Sequence, residues 1–232
     1  MITAATAFIP APPFDAIGPF RLYGLMIALG VLAGVALARR RWAERGNDPE
    51  QISSIALWAV PAGLIGARMY HVITDYDRLY CGQPRCERSL LPGAFEIWNG
   101  GLGIPGGIIA GVAVGVYVGY RMGLDWRDCI DAAIPSLPLA QAIGRLGNYF
   151  NQELFGRPTT LPWALKVEPK GVPLDGYLPG FETYHPTFAY ELIWNLGVVG
   201  VLLWIDSKRR LGKGKILGAY VALYFLGRLW IE

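Results

Sequence analysis

Long stretches without a single charge alternate with short basic, polar or proline-rich stretches along this 232-residue chain. Leu22–Ala38, Leu102–Tyr120 and Leu192–Ile205 are three of the uncharged apolar runs. Such runs are too long and too numerous for one aqueous core, and a helix needs about 20 mainly apolar residues to cross a hydrocarbon layer about 30 Å thick. The pattern predicts six membrane-crossing helices, near Arg21–Ala38, Gln51–Thr74, Gly101–Tyr120, Cys129–Ile143, Pro186–Ile205 and Ile216–Ile231. The expected fold class is therefore an all-α polytopic membrane protein. Pro61, between Ala59 and Gly63, predicts a kink in the second helix, and Pro135 and Pro138 break the fourth. In the third helix Gly107, Gly111, Gly115 and Gly119 recur every four residues. They form a smooth stripe on which a neighbouring helix can pack backbone to backbone.

Composition sharpens this picture. Charged residues are 17% of the chain and hydrophobic residues 53%, before thirty glycines are counted; soluble domains carry about 25% charge. The net charge of +3 matters through its placement. Arg39, Arg40, Arg41 and Arg45 follow the first apolar run, Arg121 and Arg127 follow the third, and Lys208 to Lys215 fill the gap before the last. By the positive-inside rule those gaps are cytoplasmic and the N-terminus is outside. Each basic cluster sits where a topology signal is required, so no nucleic-acid partner is expected. The first run is a retained helix and not a cleaved signal, because its arginines come after the apolar segment.

Between the helices, the lead before Arg21 and the segment 75–97 are expected outside. So is a small arm at about 151–184, punctuated by prolines and glycines, in which Trp163 to Val167 alternates enough for a short strand. Cys81 and Cys86 lie in one outside segment, where a disulfide and two free thiols are both open readings. Cys129 reads as packing. Two histidines, His71 and His185, and no metal-spaced cluster give no metal site, and no cofactor is expected.

The candidate chemistry lies where charge interrupts apolar helices. Arg145 stands fourteen residues beyond Asp131, which is about 21 Å of helical rise. Similar counting puts Arg228, Glu191, Tyr23 and Arg68 about 20–27 Å from their cytoplasmic markers. Charge at such depth is costly, about 2.5–3.5 kcal/mol for an arginine near the bilayer centre. Five polar side chains on five helices are thus expected in one layer, in the outer half of the bilayer. Three arginines against one carboxylate leave positive charge for an anion, and the planar guanidinium suits phosphate. The pattern points to a pocket for an anionic phospholipid. A structural ion-pair network is the plainer alternative.

The stretch Gly144-Arg145-Leu146-Gly147-Asn148-Tyr149-Phe150-Asn151-Gln152-Glu153-Leu154-Phe155-Gly156 resembles the signature of the prolipoprotein diacylglyceryl transferase family of bacterial plasma-membrane enzymes. The resemblance extends over essentially the whole chain. Ile17-Gly18-Pro19 with Arg21 and Tyr23-Gly24, Gly63 to Arg68, Gly100-Gly101 through Gly106-Gly107, His185-Pro186 with Tyr190-Glu191, and Tyr224 with Arg228 and Glu232 look like other blocks of the family. It implies seven crossings, so that residues 1–232 would form one transmembrane catalytic domain lacking its final helix. The alanine- and glycine-rich helices and the tryptophan content look like the high-GC Gram-positive branch.

The resemblance also implies a reaction. The diacylglyceryl group of phosphatidylglycerol would pass to the lipobox cysteine thiol of a prolipoprotein signal peptide, giving a thioether and glycerol phosphate. Arg145 and Arg228 would be essential arginines, with Tyr23 and Glu191 beside them in catalysis. Asn148, Glu153, Gly156 and Tyr224 would contribute to substrate binding, as would Arg68 by its depth. Phosphatidylglycerol, prolipoprotein signal peptides and membrane lipids would be the partners. Many family members carry a histidine where this chain has Pro105, which leaves the general base open; His185, at the outer mouth, is either a substitute base or a cap for the fifth helix. An anionic-substrate transporter or a phospholipid-binding scaffold without chemistry is the alternative from another class.

Overall fold

The computed structural model describes residues 8–18, 20–76, 95, 101–168, 177–178, 180–209 and 214–231. Two compact units make up the chain, one of residues 1–41 with 130–232 and one of residues 42–129. Cys81, Cys86 and Glu232 lie outside the described residues.

Seven helices stand among the described residues: α1 (Leu22–Glu44), α2 (Pro49–Thr74), α3 (Ile104–Arg121), α4 (Trp126–Ala133), α5 (Ser136–Asn151), α6 (Thr187–Arg209) and α7 (Lys215–Ile231). Strands are only two residues each: β1 (Ala16–Ile17) pairs with β2 (Phe20–Arg21), and β3 (Leu165–Lys166) with β4 (Thr183–Tyr184), both antiparallel. The protein is all-α in its architecture and multi-pass in its membrane chemistry. Leu22–Glu44, Pro49–Thr74, Ile104–Arg121 and Thr187–Lys208 are each long and apolar enough to span a bilayer. Their large side chains face outward, Leu32 at 66%, Leu57 at 70% and Ile109 at 68% exposure, as a lipid-facing surface requires.

Several helix limits move from their expected places. α1 runs through Arg39, Arg40 and Arg41 to Glu44, since arginine is a good helix former and basic side chains suit a helix C-terminus. The expected fourth helix is two helices, interrupted between Ala133 and Ser136 by Pro135. Its second piece continues to Asn151, so Gly144 to Asn151 lie inside a helix instead of after one.

In the unit of residues 42–129, Asp48 caps α2 by accepting from the Glu50 N–H at 2.9 Å, with Pro49 next. α2 and α3 meet through the expected glycines. An added Cβ on Gly107 would lie 3.3 Å from the Gly63 carbonyl oxygen, and one on Gly111 3.4 Å from that of Ala59. The tightest approach is one residue off the stripe, at Gly106, whose Cβ would collide with the Gly66 carbonyl. Buried Arg68 (5% exposed) donates to the Gly101 carbonyl at 2.8 Å. Gly101 has φ +79°, and a side chain there would press on Arg68 and His71. Pro105 lies in the first turn of α3, where its missing N–H costs nothing.

In the other unit, Ile134, Val198, Leu202 and Ile216 form an apolar core around which α4, α6 and α7 pack, with Trp194 and Leu223 at its edge. A second, smaller core of Leu165, Val167 and Tyr184 holds the arm, covered by Ile9, Tyr149, Phe155 and Phe188 among others. Ile9 pairs with β3 in parallel: its N–H donates to the Ala164 carbonyl at 2.8 Å and its carbonyl accepts from Lys166 N–H at 2.9 Å. The N-terminal lead therefore supplies an edge to the arm. Lys166 also pairs with Glu168 at 2.9 Å, and that hydrogen bond and charge raise the lysine's pKa.

Candidate active site

Small residues bring α1 and α5 together. A Cβ on Gly30 would lie 2.9 Å from the Ala140 carbonyl oxygen, and one on Gly147 2.7 Å from the Tyr23 ring. Gly147 thus seats Tyr23, in the first turn of α1, on α5 two residues past Arg145.

Residues spaced by four share a helix face, and on α5 that face is Gln141, Arg145 and Tyr149. Gln141 accepts from the Tyr220 hydroxyl of α7 at 3.3 Å. Arg145 Nε pairs with Glu191 Oε2 of α6. Tyr149 stacks on Phe188 with ring centroids 5.3 Å apart and donates to the Pro10 carbonyl at 2.9 Å. The same logic delivers the third charge. Trp194, one turn beyond Glu191, lies against Gly227, whose added Cβ would strike the indole; the indole N–H donates to the Leu223 carbonyl at 3.2 Å. With α7 held that close, Arg228 Nη1 reaches Glu191 Oε1 at 3.3 Å.

One carboxylate therefore holds two guanidinium groups, one on each oxygen. Glu191 is 13% exposed, whereas Arg145 is 25% and Arg228 37%. The arginines keep an open side, and it faces a cavity of about 890 Å³ lined by Arg145, Glu191, Arg228, Arg157, Trp163 and His185, among others. That volume lies within the range of small-molecule sites, about 300–1,000 Å³. Two guanidinium groups meet the Glu191 carboxylate here, and Arg157 adds a third guanidinium to the lining.

The mouth is built from the segment after α5. Gln152 ends the helix in the left-handed region (φ 53°). Its buried amide compensates, donating to the Lys166 carbonyl at 3.2 Å and accepting from Glu168 N–H at 3.1 Å. Gly156 N–H donates to the His185 carbonyl at 2.9 Å, and His185 N–H to that of Arg157 at 3.0 Å. A Cβ on Gly156 would lie 2.8 Å from that of His185, so only glycine fits. Thr187 donates its hydroxyl proton to the Leu154 carbonyl. Trp163 Nε1 donates to the Tyr190 hydroxyl at 2.9 Å, and that hydroxyl lies 3.1 Å from His185 Nδ1.

Of the residues singled out by sequence, Arg145, Glu191, Arg228 and Gly156 line this cavity. Tyr23, Asn148, Glu153 and Tyr224 belong to the same unit without lining it. Asn148 is buried in α5, and its carbonyl accepts from Glu153 N–H at 3.1 Å. Glu153 is exposed, its carboxylate 3.4 Å from the Asn151 amide. Tyr224 stacks on Tyr220 at 6.0 Å between centroids. Arg68 belongs to the other unit. Sequence reasoning missed Gln152, Trp163 and Arg157 as parts of the site; Arg157 closes the polar stretch that begins at Gly144, which is the signal that was available.

The family model described as "Prolipoprotein diacylglyceryl transferase" matches residues 14–232. The chain is 47% identical over 231 residues to the phosphatidylglycerol–prolipoprotein diacylglyceryl transferase of Frankia alni, covering 97% of this chain and 59% of that protein. It is equally identical to transferase 1 of that name from Streptomyces coelicolor, with 97% and 64% covered, and 45% identical to the one from Corynebacterium glutamicum, with 97% and 74% covered. All three organisms belong to the high-GC Gram-positive branch. The chain spans about three-fifths of the length of the first two relatives. A family model over nearly all of the chain and identities above 40% carry one conclusion: this protein belongs to the prolipoprotein diacylglyceryl transferase family.

Proposed function

We propose that this protein transfers the diacylglyceryl group of phosphatidylglycerol to the lipobox cysteine thiol of a prolipoprotein, forming a thioether and releasing glycerol phosphate. The observation that carries the reading is the pair Arg145 and Arg228, held on Glu191 and open to the cavity. The nucleophile is the substrate's own thiol. The sulfur bonds to the glycerol carbon bearing the phosphate ester, the carbon–oxygen bond breaks, and its electron pair leaves on phosphate. Charge develops on that phosphate, and guanidinium groups fixed beforehand stabilise it without reorganising. Glu191 acts by orienting both arginines. Tyr23, Asn148, Glu153, Gly156, Tyr224 and Arg68 contribute to binding, directly or through the helices that carry them.

In this reading α1, α2, α3, the broken pair α4–α5, α6 and the 17-residue α7 each cross the membrane, with the N-terminus and the arm outside. The cavity opens toward the outer leaflet, where phospholipid phosphate lies. The test is incubation of the purified protein with labelled phosphatidylglycerol and a lipobox peptide. Peptide-bound diacylglycerol is the expected product; phospholipid bound without transfer would leave only a scaffold.

A further inference from the structure

Transfer requires that a thiol with a pKa of about 8.5 lose its proton near neutral pH. The cavity offers three lining groups that can accept one: Glu191, Tyr190 and His185. Both oxygens of Glu191 already hold guanidinium groups. The Tyr190 hydroxyl is already engaged by Trp163 and His185. His185 is different, because an imidazole has two ring nitrogens that can divide the tasks of anchoring and proton transfer.

Its surroundings hold it for that purpose. The backbone of His185 is pinned on both sides, by Arg157 O at 3.0 Å and Gly156 N at 2.9 Å, and its carbonyl also accepts from Thr187 N–H at 2.9 Å. The ring is tied at Nδ1 to the Tyr190 hydroxyl, 3.1 Å away, which Trp163 fixes in turn at 2.9 Å. A cap for α6 needs the backbone alone and explains neither the tyrosine nor the tryptophan. Nε2 has no hydrogen-bond partner among the described residues.

Resting on the transfer reaction proposed above, we infer that His185 is the general base that takes the proton of the acceptor thiol, with Tyr190 and Trp163 as its positioning residues. With Nδ1–H donated to the Tyr190 oxygen, Nε2 carries the free lone pair. The thiol proton moves to Nε2, sulfur bonds to the glycerol carbon, the carbon–oxygen bond breaks, and its electrons leave on phosphate. The imidazolium then returns the proton to water. Arg145, Glu191 and Arg228 from three helices, Arg157 from the loop and Tyr190 are the charged and titratable groups sharing the cavity with it.

The experiment measures kcat/KM for peptide lipidation from about pH 6 to pH 9 for the wild type, His185→Asn, His185→Gln and Tyr190→Phe, with thermal unfolding in detergent as the folding control. General-base catalysis contributes about 10²–10⁴-fold, so His185→Asn and His185→Gln lose at least about a hundredfold at pH 7. Their deficit shrinks as pH rises toward ionisation of the free thiol, and added imidazole restores part of the rate. Tyr190→Phe, which keeps the base and removes its anchor, shows a smaller loss and a displaced acid limb. A wild type that is active while both His185 variants match it at every pH overturns the inference and leaves the transferase reading intact. A deficit that is constant with pH and indifferent to imidazole also overturns it, by making His185 a structural residue. A wild type that lipidates nothing removes the transferase reading first.

Discussion

Two arginine–carboxylate clusters stand in the same unit and behave in opposite ways. Arg41, near the end of α1, is 3% exposed and pairs with Asp206 of α6 at 2.6 Å. It also donates to the carbonyls of Asp131 and Ala132 at 3.1 Å each, where α4 ends, and Asp131 accepts from Gly214 N–H at 2.6 Å. This guanidinium is held by a carboxylate and by two backbone carbonyls. At the other cluster two guanidinium groups share one carboxylate, stay 25% and 37% exposed, and line a cavity. The lesson is that an arginine in an apolar setting declares its role by whether it is sealed or faces a cavity. A sealed one ties helices together; an exposed pair on a cavity is arranged for a ligand that brings its own negative charge.

That contrast can be broken by substitution. Arg145→Ala and Arg228→Ala should each lower lipidation by about 10²–10³-fold, the usual effect of deleting one preorganised charge-stabilising group, with unfolding temperatures close to wild type. Equal activity in either variant would end the comparison. Arg41→Met should do the reverse. Taking the guanidinium away from Asp206 costs about 3 kcal/mol, the low end for a buried pair losing one partner, because Asp206 is 25% exposed. Folded yield and unfolding temperature in detergent should fall, while the specific activity of the folded fraction holds. Adding Asp206→Leu should recover most of the stability, since an apolar pair can replace a buried ion pair.

Smaller effects sharpen the account. Glu191→Gln should cost about tenfold or more in rate, because hydrogen bonds to a charged group contribute about 1.5–3 kcal/mol and both arginines lose their common anchor. Rates within twofold of wild type would show that the arginines hold their places without it. Gly227→Ala should destabilise by about 1–3 kcal/mol through overpacking on Trp194. Gly144→Ala is its control: nothing lies within 4 Å of the added Cβ, and alanine is the better helix former by about 1 kcal/mol. Thermal unfolding of both variants reads this directly.

The site's charges were legible in the sequence because charge inside an apolar run is expensive and has to be explained. Arg145, Glu191 and Arg228 emerged from depth counting alone, and the glycine stripe of α3 from its period. Other features follow from contacts that no local pattern encodes. Arg41 reads as a topology signal in sequence, and only its neighbours at 131, 132 and 206 reveal a buried tie. In α5 Gln141 and Arg145 face partners on α7 and α6, so apolar periodicity fades while the helix persists. Pairing of Ile9 with β3 and the Trp163–Tyr190–His185 chain join positions 22 or more residues apart, or fall at the bend before α6, where periodicity says nothing.

The most direct test is retention of phosphatidylglycerol by the detergent-purified protein, measured by native mass spectrometry against phosphatidylcholine. The account predicts selective retention of the anionic lipid by the wild type and by the folded fraction of Arg41→Met, and its loss when Arg145 and Arg228 are both replaced by alanine. Undiminished phosphatidylglycerol on that double variant would contradict it.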